Sequence, residues 1–339
     1  MIKNKRLLWQ LPFLAFLIIG TVLIVGRRNN VEYRNNHGMV FGTTYNITYQ
    51  SDKNLEQGVK AVLQEVDNAL SPFNPKSVIT AVNENRTVRL NPMFTEVYNR
   101  AMEISDATDG AFDITVAPLV NQWGFGFKTQ NFPDKQDIDS IMQFVGYKKV
   151  RLENGRIKKD DPRTMLDCSS IAKGYGCDKV AEYLHGMGVE NYMVEIGGEI
   201  VVKGSNPKGK PWIIGVNKPV NDSLAVNHDL QAVINISDCA MATSGNYRNF
   251  YIKDGKKYAH TVNPKTGYPI QHNILSATVI APDCTTADAF ATAFMVMGLD
   301  RAKEVLNEHS YIMAYLICSD DNGDNTVWCS PKLERMIGK

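Results

Sequence analysis

The sequence predicts an α+β fold, with mixed sheets flanked by helices in two interleaved lobes behind an N-terminal membrane anchor. Three observations carry that prediction. Period-2 apolar alternation at Tyr45, Ile47 and Tyr49 gives way to helical spacing at Val59, Val62, Leu63 and Val66, and the two kinds of segment keep alternating without a long linker. With 339 residues, 44% of them hydrophobic and 22% charged, the chain has enough apolar material for a large core and does not read as disordered. Lys3, Lys5 and Arg6 precede an apolar run from Leu7 to Val25, broken only by Gln10, Pro12, Gly20 and Thr21. That run is close to the ~20 residues a spanning helix needs.

The ends of this run define the domain plan. No small-residue pair marks a cleavage site before Arg27-Arg28, and no Cys follows to carry a lipid. The expectation is therefore an uncleaved anchor over residues 1–28, a polar link over 29–37 and one exported module over 38–339. Its address would be a bacterial inner membrane, with the module on the periplasmic side. The balance of 37 basic against 36 acidic residues gives no electrostatic footprint for nucleic acid. The six cysteines match no zinc spacing. Cys318 and Cys329 bracket a polar turn and are the best placed to pair across a hairpin, while the others suit buried thiols equally well.

Within the module, Gly38 to Tyr49 reads as a half-buried strand and Leu55 to Leu70 as a helix. Ser71-Pro72-Phe73-Asn74-Pro75 is a turn, and a second helix covers Pro92 to Ala107 before the Asp109-Gly110 turn. A strand after Gly155 leads into Asp167-Cys168-Ser169-Ser170. The helix that follows places Val180, Ala181 and Leu184 inward and stops near Gly186 and Gly188. Tyr192 to Val202 forms two strands joined over Gly197-Gly198, and Trp212 to Val216 and Ala232 to Ile236 are further strands around a polar loop. The last clear helix starts at an Asp283, Thr285 or Thr286 cap and ends at Gly298. Phe290, Phe294 and Met297 form its apolar stripe.

Four places carry polar groups that the elements do not need. Asp288 and Thr292 lie four residues apart on one helix, so a carboxylate and a hydroxyl point the same way, a donor set suited to a hard cation. A first-turn Asp beside the helix dipole and a Thr bonded to its own helix would look the same. Asp113 sits in an apolar run and needs either donors or a ligand. From Asp167 to Gly176 a strand, a small polar turn and a helix start offer backbone N–H groups together with Lys173, the way phosphate is commonly held. The glycines there match neither the Walker nor the dinucleotide pattern. His260 titrates near neutrality and precedes a tight Asn263-Pro264-Lys265-Thr266-Gly267 turn, a setting for a proton carrier or for a structural histidine.

Taken together, these residues resemble a known family. Phe41-Gly42-Thr43-Thr44-Tyr45, the run from Asp109 to Gly126, Asp167-x-x-x-Ile171-Ala172-Lys173-Gly174, Glu195-x-Gly197-Gly198-Glu199, Ser244-Gly245-x-Tyr247-Arg248, His260-x-Val262-Asn263-Pro264-x-Thr266-Gly267 and Thr286-Ala287-Asp288-Ala289-x-Ala291-Thr292 occur in order. The chain is similar to the ApbE family of FAD:protein FMN transferases, from about Gly38 to Ile317.

That resemblance implies an enzyme with FAD as substrate and Mg²⁺ as cofactor. The FMN moiety would pass to a Ser or Thr hydroxyl of an exported acceptor protein, and AMP would leave. It implies a flavin cleft between the lobes, with Phe41, Phe73, Ala111, Phe112, Asp113, Asp167, Lys173 and Val262 as flavin-nucleotide contacts. Ser170, through its backbone carbonyl, with Asp288 and Thr292 would hold the metal. His260 would activate the acceptor hydroxyl. The sequence departs from the family pattern where Phe41 replaces a common Met, Phe73 a common Tyr and Ala291 an Asp found in some relatives. Fewer protein ligands then reach the metal, and waters and phosphate oxygens complete its shell. Two other readings are an Mg-dependent FAD pyrophosphatase giving FMN and AMP, and a non-catalytic FAD carrier.

Overall fold

The computed structural model describes residues 12–21, 31–126, 132–219, 229–247, 249–320, 322 and 324–338. The chain runs through β1 (Tyr33–Val40), β2 (Thr43–Gln50), α1 (Glu56–Leu70), α2 (Val78–Asn83), α3 (Pro92–Ala107), α4 (Ala117–Gln122) and α5 (Lys135–Met142). It continues through β3 (Val150–Glu153), β4 (Arg156–Lys159), α6 (Ala172–Gly186), β5 (Tyr192–Ile196), β6 (Glu199–Lys203), β7 (Trp212–Asn217), β8 (Leu230–Ile236) and β9 (Cys239–Gly245). Last come β10 (Phe250–Lys253), β11 (Lys256–Ala259), β12 (Ile274–Ala281), α7 (Cys284–Met297), α8 (Leu299–Glu308), β13 (Met313–Ser319) and β14 (Asn325–Cys329).

Eight strands form one sheet in the order β1-β2-β5-β6-β9-β12-β13-β14, and every neighbouring pair is antiparallel. Helices flank it, so the fold is a mixed α+β one. The pairs β3/β4, β7/β8 and β10/β11 are separate two-stranded hairpins. An antiparallel sheet reads as alternation where one face is solvated and as a continuous apolar run where both are covered. β12 is the second kind, with Ser276 through Ala281 all buried.

Helix α7 lies over β9 and β12 and beside α6. Twelve of its side chains are buried, from Cys284 and Thr285 through Val296. A helix apolar nearly all round belongs inside a protein, so the stripe expected from Phe290 and Phe294 is only part of its buried surface. Its N-terminus is capped twice. Asp283 Oδ1 accepts from Thr286 N at 2.7 Å, and Asp178 on α6 accepts from the N–H groups of Cys284 and Thr285 at 2.8 Å each. Small residues let α6 approach: a Cβ on Gly174 would stand 2.3 Å from Cys284 O.

Three expectations need correction, and a fourth falls largely outside the described residues. The strand expected over residues 38–49 is two strands, turned at Phe41 and Gly42, where both φ angles are positive (51° and 74°). That is the backbone a two-residue hairpin loop with the right twist requires. The stretch after Gly155 supplies only β4, and the chain leading into Asp167 is irregular. The Cys318–Cys329 pair is not formed: Cys318 faces Thr326 across the β13/β14 ladder, Cys329 faces Tyr315, and all six cysteines are free. Of the N-terminal apolar run, residues 12–21 are described and helical, and among the described residues no helix is long and apolar enough to cross a membrane. The remainder of the run lies outside the described residues.

Candidate active site

A cleft of ≈ 510 Å³ opens beside α7, within the range of sites for small molecules and cofactors. The elements that build its floor are also core elements. α6 brings Lys173, α7 brings Asp288 and Thr292, and the first residue of β6 is Glu199. The loop before α6 brings Asp167, Ser169 and Ser170. The far wall carries Asn121, Phe125, Asn249, His260 and Val262, and Phe73 stands at the rim, 72% exposed.

On the floor, Lys173 Nζ donates to Glu199 Oε1 at 2.7 Å and lies 3.9 Å from Asp288 Oδ1. Asp288 and Glu199 are 4% and 3% exposed. Asp288 Oδ2 accepts from Gly174 N at 3.0 Å, which leaves Oδ1 facing the lysine. Glu199 Oε2 is buried and finds no donor among the described residues. Burial pulls Lys173 down, but the Asp288 and Glu199 charges outweigh it and hold the ammonium well above the lysine range. Burial raises Glu199, with Asp288 adding to the effect and Lys173 opposing it. Asp288 is raised by burial too, against Lys173 and the Gly174 N–H.

The donor set fits a hard divalent cation. Asp288, Thr292 and Ser170 offer oxygen only, and among the described residues no cluster of three or more His, Cys, Asp or Glu forms an alternative metal centre.

His260 is positioned by main chain. Its N–H donates to Asn249 O at 3.1 Å, and its Nδ1 is 3.2 Å from the same carbonyl. A carbonyl can only accept, so Nδ1 carries the hydrogen and Nε2 is left as a lone-pair acceptor. Burial and the Lys173 charge lower its pKa from 6.5, against the Asn249 carbonyl.

The structure thus brings Phe73, Asp167, Ser170, Lys173, His260, Val262, Asp288 and Thr292 to one cleft. Phe41, Ala111, Phe112 and Asp113 do not line it. Phe41 packs behind α6, 2.9 Å from where a Gly176 Cβ would stand, and Ala111 and Phe112 are buried. Asp113 has found donors: Oδ1 accepts from Thr115 N and Oγ1 at 2.7 Å each, and Oδ2 from Tyr147 N at 2.8 Å. Glu199 is the site residue that sequence reasoning assigned no role. Its signal was two acids straddling a Gly-Gly turn: Glu195 turns outward to accept from Gly198 N and Asn46 Nδ2, and Glu199 turns inward.

An α+β fold carrying a lysine between two buried carboxylates, an oxygen-donor helix and a histidine held by main chain around one cleft defines a protein suited to a phosphate-bearing ligand. Residues 41–317 match the model of the ApbE family. The FAD:protein FMN transferase of Haemophilus influenzae is 38% identical over 303 residues, covering 84% of this chain and 86% of the relative. That of Escherichia coli K12 is 34% identical, covering 84% and 82%. Among solved structures, the flavin transferase ApbE of Vibrio cholerae superposes with a TM-score of 0.81 at 35% identity, over 90% of this chain and 99% of that one. The apo Pseudomonas stutzeri flavinyl transferase ApbE gives the same score at 28% identity. The chain belongs to the ApbE family.

Proposed function

We propose that this chain is an FAD:protein FMN transferase that moves the FMN moiety of FAD to a Ser or Thr hydroxyl of an exported acceptor protein and releases AMP. The observation that carries the reading is the single cleft shared by Lys173, Asp288 and His260, in a chain whose relatives bear that name. Phe73 and Val262 provide surface for the isoalloxazine, and Lys173 neutralises pyrophosphate oxygens. Asp288, Thr292 and the Ser170 carbonyl would hold Mg²⁺, which would supply further charge neutralisation at the phosphates.

In the transfer, the acceptor oxygen forms a bond to the FMN phosphorus while the bridging P–O bond breaks and AMP departs with that electron pair. His260 Nε2 takes the hydroxyl proton. Transfer would win over hydrolysis where the bound acceptor takes the place of water at the phosphorus. The N-terminal run anchors the enzyme in the inner membrane with the module outside the cytoplasm, where exported acceptors are met.

Incubation with FAD and Mg²⁺, with and without an acceptor carrying an Asp-Gly-x-[Ser/Thr]-Gly-Ala-Thr-like segment, tests this. AMP and a flavin-labelled acceptor formed together are the expected result. AMP at an equal rate without acceptor identifies a pyrophosphatase, and no AMP at all identifies a carrier.

A further inference from the structure

Lys173 stands between two buried carboxylates that do not share it equally. At 2.7 Å from Glu199 Oε1 it is hydrogen-bonded; at 3.9 Å from Asp288 Oδ1 it is not. The asymmetry follows from how each acid is mounted. Glu199 closes a two-residue turn opposite Ile196, with Gly197 and Gly198 at φ 63° and 102°. Its main-chain carbonyl also accepts from Cys177 Sγ at 3.1 Å, so the Glu199 backbone is fixed from both sides. Asp288 is tied by Gly174 N to Oδ2 and cannot turn away from the lysine.

A lysine is a compact cation on a flexible four-carbon stem. Set loose beside Asp288, which is 4% exposed, it would close on Oδ1, because unit charges attract strongly where the dielectric is low. An ammonium seated there occupies the oxygen that a divalent cation needs.

We propose that Glu199 is a positioning residue that holds the Lys173 ammonium off Asp288, keeping Oδ1 open to a divalent cation while the lysine remains in the cleft for phosphate oxygens. This rests on the reading of Asp288 as a metal ligand. A purely structural pair, tying β6 to α6, would give Glu199 no influence on cation affinity that the lysine mediates. The two roles therefore part when the lysine is removed as well.

The test is Mn²⁺ alone, titrated without FAD into the full chain, with the free-ion resonance signal reporting occupancy. Glu199→Gln keeps shape and an acceptor oxygen but drops the charge. It is expected to weaken Mn²⁺ binding by roughly tenfold or more. Combining it with Lys173→Met is expected to restore affinity to that of Lys173→Met by itself. Glu199→Asp, which keeps the charge and serves if the Gln variant does not fold, is expected to bind Mn²⁺ more tightly than Glu199→Gln or, failing that, close to wild type. Undiminished binding by Glu199→Gln, or a double variant that binds no better than Glu199→Gln, overturns the proposal. A wild-type chain with no Mn²⁺ affinity removes the metal reading itself and this inference with it. Wild-type affinity with an indifferent Glu199→Gln removes the inference alone.

Discussion

The two walls of the cleft are built differently. On the α6/α7/β6 side the two carboxylates are buried, Lys173 and Thr292 are half-buried, and all four sit on elements packed into the core. Lys173 is bonded to Glu199, and Asp288 is bonded to the Gly174 N–H. On the His260 side the surroundings are flat and aromatic: Phe125 stacks on Tyr251 with centroids 4.3 Å apart, Trp123 stacks on Tyr258 at 5.6 Å, and Lys253 sits 4.0 Å over Phe132. The β10/β11 hairpin behind this wall stands apart from the eight-stranded sheet. Charge that must be aimed at phosphate is fixed by the core. The opposite wall is made of ring faces, and in the function proposed above it is the side that would meet a protein acceptor.

The largest effect that would sharpen this contrast is at Asp288. Asp288→Asn keeps the acceptor for Gly174 but loses the charge, and metal-dependent turnover should fall by about 10³-fold with little change in thermal midpoint. A variant active at low Mg²⁺, or one that loses stability as fast as activity, would make Asp288 structural. On the other wall, His260→Ala should retain FAD affinity while transfer drops by about 10²–10⁴-fold. Neutral Nε2 is the working form, and burial and Lys173 depress the histidine pKa. The wild-type rate should therefore rise with pH through a midpoint below 6.5 and level off above it, and the variant should lack that step. Loss of FAD binding would instead place His260 in the flavin pocket.

Smaller effects concern stability. Gly174→Ala puts a Cβ 2.3 Å from Cys284 O and 2.9 Å from Asp288 Cβ. Backbone cannot yield as a side-chain tip can, so we expect a loss of about 1–3 kcal/mol in denaturant unfolding and a weakened metal site. Asp178→Ala strips two N–H partners and the Thr285 hydroxyl from the start of α7. It should cost about 0.5–2 kcal/mol, the range for a lost helix cap. Burial raises Asp178 to about 6 despite those donors. A carboxyl with a raised folded pKa gives stability that is full below its unfolded value near 3.8 and is lost as pH rises through about 6. The difference between wild type and Asp178→Ala should therefore be largest in acid and narrow toward neutrality.

Much of this was legible in the sequence because local signals and tertiary needs agreed. Helices α1, α3 and α6 fall where the apolar spacing places them, and β5/β6 turn at Gly197-Gly198 as read. The Phe41-Gly42 turn was missed because Phe is a poor marker for a positive φ. Only the hairpin geometry, not the residue type, demands it there. For Asp113 the sequence posed the right question, donors or a ligand, and Thr115 and Tyr147 supply the donors from two short 3-10 turns, the first of which Asp113 caps. The role of Glu199 was invisible because inward and outward acids around a tight turn differ only in the face the strand gives them.

The sheet's strand order has a consequence for how the enzyme is made. β2 pairs with β5, so Tyr45 must wait for Ile196, and β9 lies between β6 and β12. α7 settles only where β9 and β12 already exist, and Lys173 meets Asp288 across more than a hundred residues of chain. Contacts so distant in sequence form late and together. A nascent chain therefore holds no partial active site, and fragments ending before β12 should carry neither cation affinity nor residual turnover.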